Sequence, residues 1–177
     1  MSITKIIEKK APIEVWFYEC QIDNVDKNYF IEKIENNITK HNSHATNVKG
    51  GMTDWNLFNG DPNFHNLLLE SQKILGNKRK VGIKDSWGIK VDKDEYTAIH
   101  NHFPSWASGI YYLTDSSTPL SFPEIKIEVK PKAGTFAIWS GILNHKTERL
   151  NEGPKYAIAF NLDNVNQWDE RKNISHD

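Results

Sequence analysis

The sequence predicts an α+β fold that is mainly β, in which N-terminal helices pack on one sheet of a jelly-roll core. Before Lys80 the apolar residues recur at helical intervals, whereas after Lys80 they form short strand-like segments separated by turn signals. Strands at this spacing, with no helical period between them, are typical of an antiparallel sandwich or barrel. Their number approaches the eight strands of a jelly roll.

The N-terminal part is predicted to contain one strand and two helices. Residues 12–20 (PIEVWFYEC) are rich in β-branched and aromatic residues, which predicts an opening strand. Residues 25–42 carry their apolar side chains at helical spacing, which predicts an amphipathic helix. A second helix is predicted to begin with Asp61 as its N-cap and Pro62 at its first position, and to stop at Gly76.

The core is predicted from six segments between turn signals such as DKDE, DSSTP and PKAG. In chain order these segments are 80–91, 96–103, 108–115, 124–130, 134–140 and 155–163. Gly134 suits a turn position with positive φ, and the glycine-containing stretch 47–58 is expected to be a loop over the substrate. Because no repeat or linker interrupts the chain, we expect one domain over 1–177, with a helical part over about 1–79 and a jelly-roll core over about 80–165.

Composition and charge narrow the class of protein. The formal net charge of −1 gives no electrostatic reason to expect a nucleic-acid or membrane partner. No apolar run approaches the roughly 20 residues that span a bilayer, and the N-terminus has no signal-peptide pattern. The lone cysteine, Cys20, cannot form an internal disulfide. We therefore expect a cytoplasmic protein.

Three histidines form the candidate metal site. Side chains alternate along a strand, so His100 and His102 are expected to project from the same face of the segment 96–103. His145, just past the segment 134–140, is the natural third ligand. A histidine in a strand is more often a hydrogen-bonded polar residue than a ligand, and it is the third histidine that favours the metal site.

A second group of residues predicts a pocket for a carboxylate. Lys155 lies ten residues after His145 at the start of an apolar strand, where a buried charge needs a partner. Ser108 and Tyr112 are four residues apart on the strand 108–115 and so lie on the same face. Together with Lys155 they would make a cationic, hydroxyl-lined pocket. The alternative is that Lys155 is exposed at the turn after NEGP. Trp87, Trp106 and Trp139 are expected to fill the core, with the pocket wall as the alternative.

The pattern H-x-H, SGIYYL, PKAGTFAIWS, then His145 and, ten residues later, Lys155 with YAIAFN resembles the iron(II)/2-oxoglutarate-dependent dioxygenases. It is most similar to their prolyl-hydroxylase-like branch, over about Gly82 to Leu162, and it implies a double-stranded β-helix (jelly roll). The resemblance implies that His100 and His145 bind Fe(II), and that Lys155 and Tyr112 bind the distal carboxylate of the cosubstrate 2-oxoglutarate. It further implies that O2 and 2-oxoglutarate are consumed to hydroxylate a C–H bond of a peptidyl, prolyl or small-molecule substrate, with succinate as a product.

One position departs from that family. His102 stands where the family has a carboxylate, and the 2-His-1-carboxylate triad is the signature of non-haem iron oxygenases. A neutral imidazole leaves the metal site one unit more positive, and imidazole also suits Zn, Cu and Ni. His102 is therefore predicted as a metal ligand, with a water in its place as the alternative.

Three other functions remain open at this point. A three-histidine cupin, such as a thiol dioxygenase or a lyase, would use the histidines but would leave Lys155 without a role. A hydrolytic zinc site would also use them, although no carboxylate stands out as a general base. The third is a non-catalytic jelly-roll protein, for binding or as a viral structural component. The sequence specifies neither the substrate nor the oligomeric state.

Overall fold

The computed structural model describes residues 13–39, 46–74 and 81–164, which form two antiparallel sheets and two helices. The helices are α1 (Lys27–Glu35) and α2 (Pro62–Ile74). The strands are β1 (Phe17–Gln21), β2 (Val48–Lys49), β3 (Gly51–Met52), β4 (Val81–Val91), β5 (Tyr96–His100), β6 (Ala107–Tyr112), β7 (Leu120–Phe122), β8 (Ile127–Val129), β9 (Thr135–Ser140), β10 (His145–Thr147) and β11 (Lys155–Asn164).

Both helices begin at an aspartate cap. The side chain of Asp26 accepts a hydrogen bond from the backbone N–H of Tyr29 at the start of α1. Asp61 accepts from the N–H groups of Asn63 and Phe64 at the start of α2, as the sequence predicts, and so satisfies two donors that the helix itself leaves free. The predicted stop at Gly76 lies outside the described residues.

The strands pair in two sheets that form the predicted jelly roll. One sheet has the order β1-β9-β6-β11-β4-β3 and the other β2-β5-β10-β7-β8. Every strand pair is antiparallel. The long strands of the six-stranded sheet match predicted segments, whereas β2, β3, β7 and β10, each of two or three residues, were not predicted as strands.

The helices pack on the outer face of the six-stranded sheet, as predicted. Phe30 and Ile34 of α1 and Phe64 of α2 are fully buried in one cluster with Ile158 and Phe160 of β11. The opposite face of β11 is directed between the two sheets, where Ala157 and Ala159 pack with other apolar residues. Two layers of apolar side chains therefore hold the sheet in place, and the inner layer surrounds the candidate site.

The stretch 47–58, expected as a loop, joins the two sheets along one side. Its β2 pairs with β5 and its β3 pairs with β4, so one short segment contributes an edge strand to each sheet. The predicted turn glycine, Gly134, has a φ of +95°, a conformation that residues with a Cβ rarely adopt. Within the described residues, no helix is long and apolar enough to cross a membrane.

Candidate metal centre and ligand cavity

His100 and His145 face each other across two paired strands. β5 and β10 run antiparallel, and in their register His145 lies directly opposite His100. The centroids of the two rings are 4.4 Å apart. Directly opposite residues on neighbouring strands have adjacent side chains, so the sheet itself brings these two imidazoles together.

His102 reaches the same point from outside the strand. The sequence predicts that the strand continues to residue 103, but β5 ends at His100 because the N–H of His102 donates to the carbonyl of Gly141 instead of to a strand partner (2.7 Å). Its Nε2 nevertheless lies 3.3 Å from Nε2 of His145. The two histidines of the H-x-H pair therefore converge, although alternation along a strand is not the reason.

The three rings bring one nitrogen atom each to a common point. One ligand atom from each of His100, His102 and His145 lies within 4.8 Å of the others. Nδ1 of His100 donates to the carbonyl of Ala98 (2.8 Å) and Nδ1 of His145 to that of Leu143 (3.1 Å), which leaves each Nε2 unprotonated. Two nitrogens bound to one ion at about 2.1 Å would be about 3.0–3.4 Å apart. The His102–His145 pair is already at this distance, and the chemistry of the three donors suits a metal ion.

Burial keeps all three imidazoles neutral. It lowers the pKa of His102 to about 3, with the charges of His100 and Lys84 adding to the effect. Burial also lowers the pKa of His100, and it lowers that of His145 well below its ordinary value. The unprotonated form that a metal requires is therefore the form present at neutral pH.

A cavity between the two sheets connects these histidines to Lys155. Its empty volume, including the mouth that opens to solvent, is about 510 Å³. Ala157 and Ala159 line it, and their small side chains leave room above the six-stranded sheet. Lys155, at the start of β11, lines the same cavity as the three histidines.

Lys155 is buried without a counter-charge. Its side chain is 4% exposed, and within the described residues it has neither a hydrogen-bond partner nor an ion-pair partner. Burial lowers the pKa of its ammonium group to about 8, so the lysine is still mainly protonated at pH 7. The alternative of an exposed lysine at a turn is thereby excluded, and the cavity contains a cation that has no anion in the described chain.

The two hydroxyl groups expected beside Lys155 differ in their surroundings. Tyr112 is fully buried next to Ala157, and its hydroxyl has no partner among the described residues. Ser108 lines the cavity, but its hydroxyl donates to the carbonyl of Phe160 (3.1 Å). Of the two, the Tyr112 hydroxyl is the one whose proton is not already donated to another described residue.

Two tryptophans expected mainly in the core also line the cavity. Trp87 of β4 and Trp139 of β9 are both buried, and their rings lie 6.1 Å from His102 and 4.9 Å from His145, respectively. Trp87 lies on the same face of β4 as Ile89 and Val91, which line the cavity too. The wall could therefore have been predicted if the pairing of β4 with β11 had been known.

The other histidines lie elsewhere. His65 is exposed on α2, away from the cavity wall, and His41, His44 and His176 lie outside the described residues.

Comparisons with known proteins agree with this architecture. No protein-family model matches the chain, and a comparison with curated proteins finds no match. Among solved structures, a viral collagen prolyl hydroxylase from Paramecium bursaria Chlorella virus-1 in complex with 2-oxoglutarate aligns with a TM-score of 0.64 at 15% identity, over 82% of this chain and 94% of that chain.

Two further solved structures are similar over comparable lengths. HygX from Streptomyces hygroscopicus, with nickel and 2-oxoglutarate bound, has a TM-score of 0.64 at 12% identity and covers 84% of this chain and 83% of its own. A Trichoplax adhaerens prolyl hydroxylase in complex with a peptide has a TM-score of 0.59 at 13% identity, over 89% and 87%. At identities this low, the structural similarity establishes the fold alone, which is the double-stranded β-helix found in 2-oxoglutarate oxygenases.

Proposed function

We propose that this protein is an Fe(II)/2-oxoglutarate-dependent dioxygenase that hydroxylates a C–H bond of a peptidyl, prolyl or small-molecule substrate. The observation that carries the proposal is the cavity shared by three neutral histidines and a buried lysine without a counter-charge. A metal site alone fits several enzyme classes, whereas the lysine adds a requirement for an anion. The solved structures with this fold that bind 2-oxoglutarate support the same conclusion.

His100, His102 and His145 would hold the metal. Imidazole nitrogens bind iron(II), although they also suit zinc, copper and nickel. When bound, Fe(II) together with 2-oxoglutarate and O2 would supply the oxidising power to hydroxylate a C–H bond, with decarboxylation of 2-oxoglutarate to succinate and CO2. The main-chain carbonyls of Ala98 and Leu143 would orient two of the rings throughout.

Lys155 would bind the distal carboxylate of 2-oxoglutarate. An ion pair in a site shielded from water is stronger than one in bulk solvent, and a matched carboxylate removes the cost of burying the ammonium group alone. The free hydroxyl of Tyr112, adjacent on β6, would donate to the same carboxylate, and Ser108 would line the pocket beside it.

The described cavity wall also weighs against two alternatives. It contains no aspartate or glutamate, so a hydrolytic zinc enzyme would lack a carboxylate base there. A three-histidine cupin without 2-oxoglutarate would leave the Lys155 cation unused.

A cytoplasmic location and the absence of nucleic-acid and membrane partners remain part of the proposal, supported by the near-zero net charge and the free thiol of Cys20.

The test is chelation followed by turnover. Under anaerobic conditions, Fe(II) and 2-oxoglutarate should give the weak visible charge-transfer band of the chelate. Admission of O2 should then give slow formation of succinate even without a substrate. The alanine variant at Lys155 should lose the band while it retains the metal, and the alanine variant at His145 should lose both.

The contrary result is equally clear. If the wild-type protein binds Fe(II) but gives neither the band nor succinate, the dioxygenase proposal fails and a cupin-type activity takes its place. If it binds no metal ion at all, the non-catalytic jelly-roll alternative is favoured. Lys130, an exposed lysine just after β8, provides a matched control as Lys130→Ala.

A further inference from the structure

Two tryptophans that line the cavity have buried indole N–H groups with no hydrogen-bond partner among the described residues. Trp87 is 3% exposed and Trp139 is 2% exposed, and Nε1 of each is buried without an acceptor among the described residues. Buried donors are nearly always paired, because water has been lost and nothing replaces it. A phenylalanine would fill similar space without this penalty, so two unpaired indoles in one cavity indicate that an acceptor is missing from it.

The two indoles lie on either side of the histidines. Trp139 is on β9 and Trp87 is on β4, and in the sheet these strands are separated by β6 and β11. The ring of Trp139 contacts that of His145, and the ring of Trp87 lies beside that of His102. The rings of His102 and His145 are themselves stacked at 5.1 Å with an interplanar angle of 14°. The sequence of rings Trp139, His145, His102 and Trp87 thus runs across the cavity at its metal end.

The polar groups of this cavity are mostly donors. The Lys155 ammonium group and the two indole N–H groups are donors, and no carboxylate or carboxamide side chain lines the described wall. Lys155 lies opposite Val91 of β4, four residues along that strand from Trp87, which lies opposite Ala159. The unprotonated histidine nitrogens are the main acceptors, and a metal ion would occupy those. A ligand that satisfies such a cavity must carry acceptor oxygens at both of its ends.

We propose that Trp87 and Trp139 are ligand-binding residues whose indole N–H groups donate to oxygen atoms at the histidine end of the bound 2-oxo acid, opposite the carboxylate held by Lys155. This inference rests on the proposed function and adds two residues to it. It also explains why the cavity would select an acid with oxygen atoms at each end over a monocarboxylate of the same length.

The first test observes the donors directly. Zn(II) serves as a diamagnetic, redox-inactive metal, and ¹⁵N–¹H spectra of the indole groups are recorded on the Zn(II)-loaded protein before and after addition of 2-oxoglutarate. The resonances that are missing from the Trp87→Phe and Trp139→Phe spectra should move downfield as their hydrogen bonds form. The Trp55 resonance should stay in place, since its half-exposed ring contacts Trp87 edge-to-face outside the cavity wall.

The second test measures what the donors contribute. Each Trp→Phe variant keeps an aromatic ring in the wall but removes the N–H group, and it should weaken 2-oxoglutarate binding about tenfold, as expected for one lost hydrogen bond to a charged group. Zn(II) affinity should not change. Trp55→Phe is the matched control, because it alters the packing beside Trp87 while both cavity indoles remain.

Failure of the inference can be separated from failure of the proposed function. If the wild-type protein binds 2-oxoglutarate but neither indole resonance moves and both variants bind it normally, the inference is overturned and the proposed function stands. If the wild-type protein does not bind 2-oxoglutarate with any metal, both are overturned. Should a variant fail to fold, the wild-type spectra still decide, with resonances assigned by elimination from variants at the other tryptophans.

Discussion

The two ends of the cavity differ in how complete they are without a ligand. At the histidine end, His100 and His145 each donate to a main-chain carbonyl, and strand pairing sets the position of both rings. At the other end, Lys155 is buried at 4% exposure, with no partner in the described ranges. The metal ligands at one end are therefore preorganised, whereas the charge at the other end is unsatisfied until an anion arrives.

The difference also appears in the free energy of burial. Burial lowers the pKa of each histidine further from its ordinary value of 6.5, so the imidazoles are neutral at pH 7 and their burial costs little. Lys155 keeps its charge at pH 7 although burial lowers its pKa from 10.5 to about 8. At about 1.4 kcal/mol per pKa unit, the charged lysine costs the free protein on the order of 3 kcal/mol. An anion bound beside the lysine would offset this cost.

The largest expected effect is at the preorganised end. His145→Ala should reduce affinity for Fe(II) or Zn(II) by more than about 100-fold, since even the loss of an outer-shell partner costs about 10- to 100-fold. A competition titration against a chromophoric chelator measures this. His65→Ala, at an exposed histidine of α2, should bind metal normally. Normal binding by the His145 variant would show that the metal site lies elsewhere.

The next effect separates the two ends. Lys155→Met should weaken 2-oxoglutarate binding by about 100-fold, because loss of one partner of a buried, hydrogen-bonded charge pair costs about 2–5 kcal/mol. Metal affinity should remain at the wild-type value. Calorimetric titration of the Zn(II)-loaded protein measures both quantities, with Lys130→Met as the exposed-lysine control. Unchanged affinity for 2-oxoglutarate would remove Lys155 from the cosubstrate site.

The same variant should stabilise the ligand-free protein. Without metal or 2-oxoglutarate at pH 7, Lys155→Met should raise the free energy of unfolding by about 2 kcal/mol, because it replaces a buried unpaired charge with an apolar side chain. Between pH 8 and 10.5 the unfolded chain holds the lysine proton while the folded wild type releases it, so wild-type stability rises and the gap narrows. Urea unfolding at pH 7 and pH 9 tests both points. A variant less stable than wild type at pH 7 would contradict them.

The sequence predicts the long elements because their local signals are strong. β4, β6, β9 and β11 are runs of β-branched and aromatic residues between turn residues. α2 begins at the predicted cap Asp61, which accepts two backbone hydrogen bonds. Because side chains alternate along these strands, one face of the sheet packs against the helices and the other faces the second sheet. The extent of the domain, over residues 1–177, stays a prediction.

The short strands could not be predicted, because long-range pairing alone defines them. β10 has three residues, too few to show alternation, yet it holds His145 opposite His100. β2 and β3 have two residues each and lie in a stretch that looks like a loop. Strands of this length form where a neighbouring strand is already in place, and that information lies elsewhere in the chain.

The site was predicted by residue type more securely than by local geometry. His102 was expected on a strand, but a hydrogen bond from its N–H to Gly141, 39 positions away along the chain, takes it out of the ladder. The cavity-facing side of Trp87 and Trp139 also depends on which strands are neighbours. The sequence could identify the residues that gather around the cavity, while their arrangement required the pairing of the sheets.

A further prediction concerns whether His102 is a metal ligand. If His102 is a ligand, His102→Ala should lower Fe(II) affinity by roughly 30-fold, less than the alanine change at His145, since a water can take the vacant position. His102→Asp should recover most of the loss, because it restores the carboxylate typical of non-haem iron sites. The same chelator competition measures both variants. Wild-type affinity in the alanine variant would remove His102 from the ligand set and leave two histidines.

The smallest expected effect is a pH dependence confined to the unsatisfied end. Only the protonated form of Lys155 can pair with a carboxylate, and its pKa in the free protein is lowered to about 8 by burial. The apparent affinity for 2-oxoglutarate should therefore fall about tenfold from pH 7 to pH 9 as the free protein loses this proton. Metal affinity should show no matching fall, because the pKa values of the three histidines are already lowered and their imidazoles are neutral throughout this range.

Lys155→Arg keeps its charge at both pH values, so its affinity for 2-oxoglutarate, whatever its magnitude, should not vary between them. Calorimetric titrations of the Zn(II)-loaded proteins at pH 7, 8 and 9 make the comparison, and a wild-type profile as flat as that of the arginine variant would mean that the lysine proton is not required for binding.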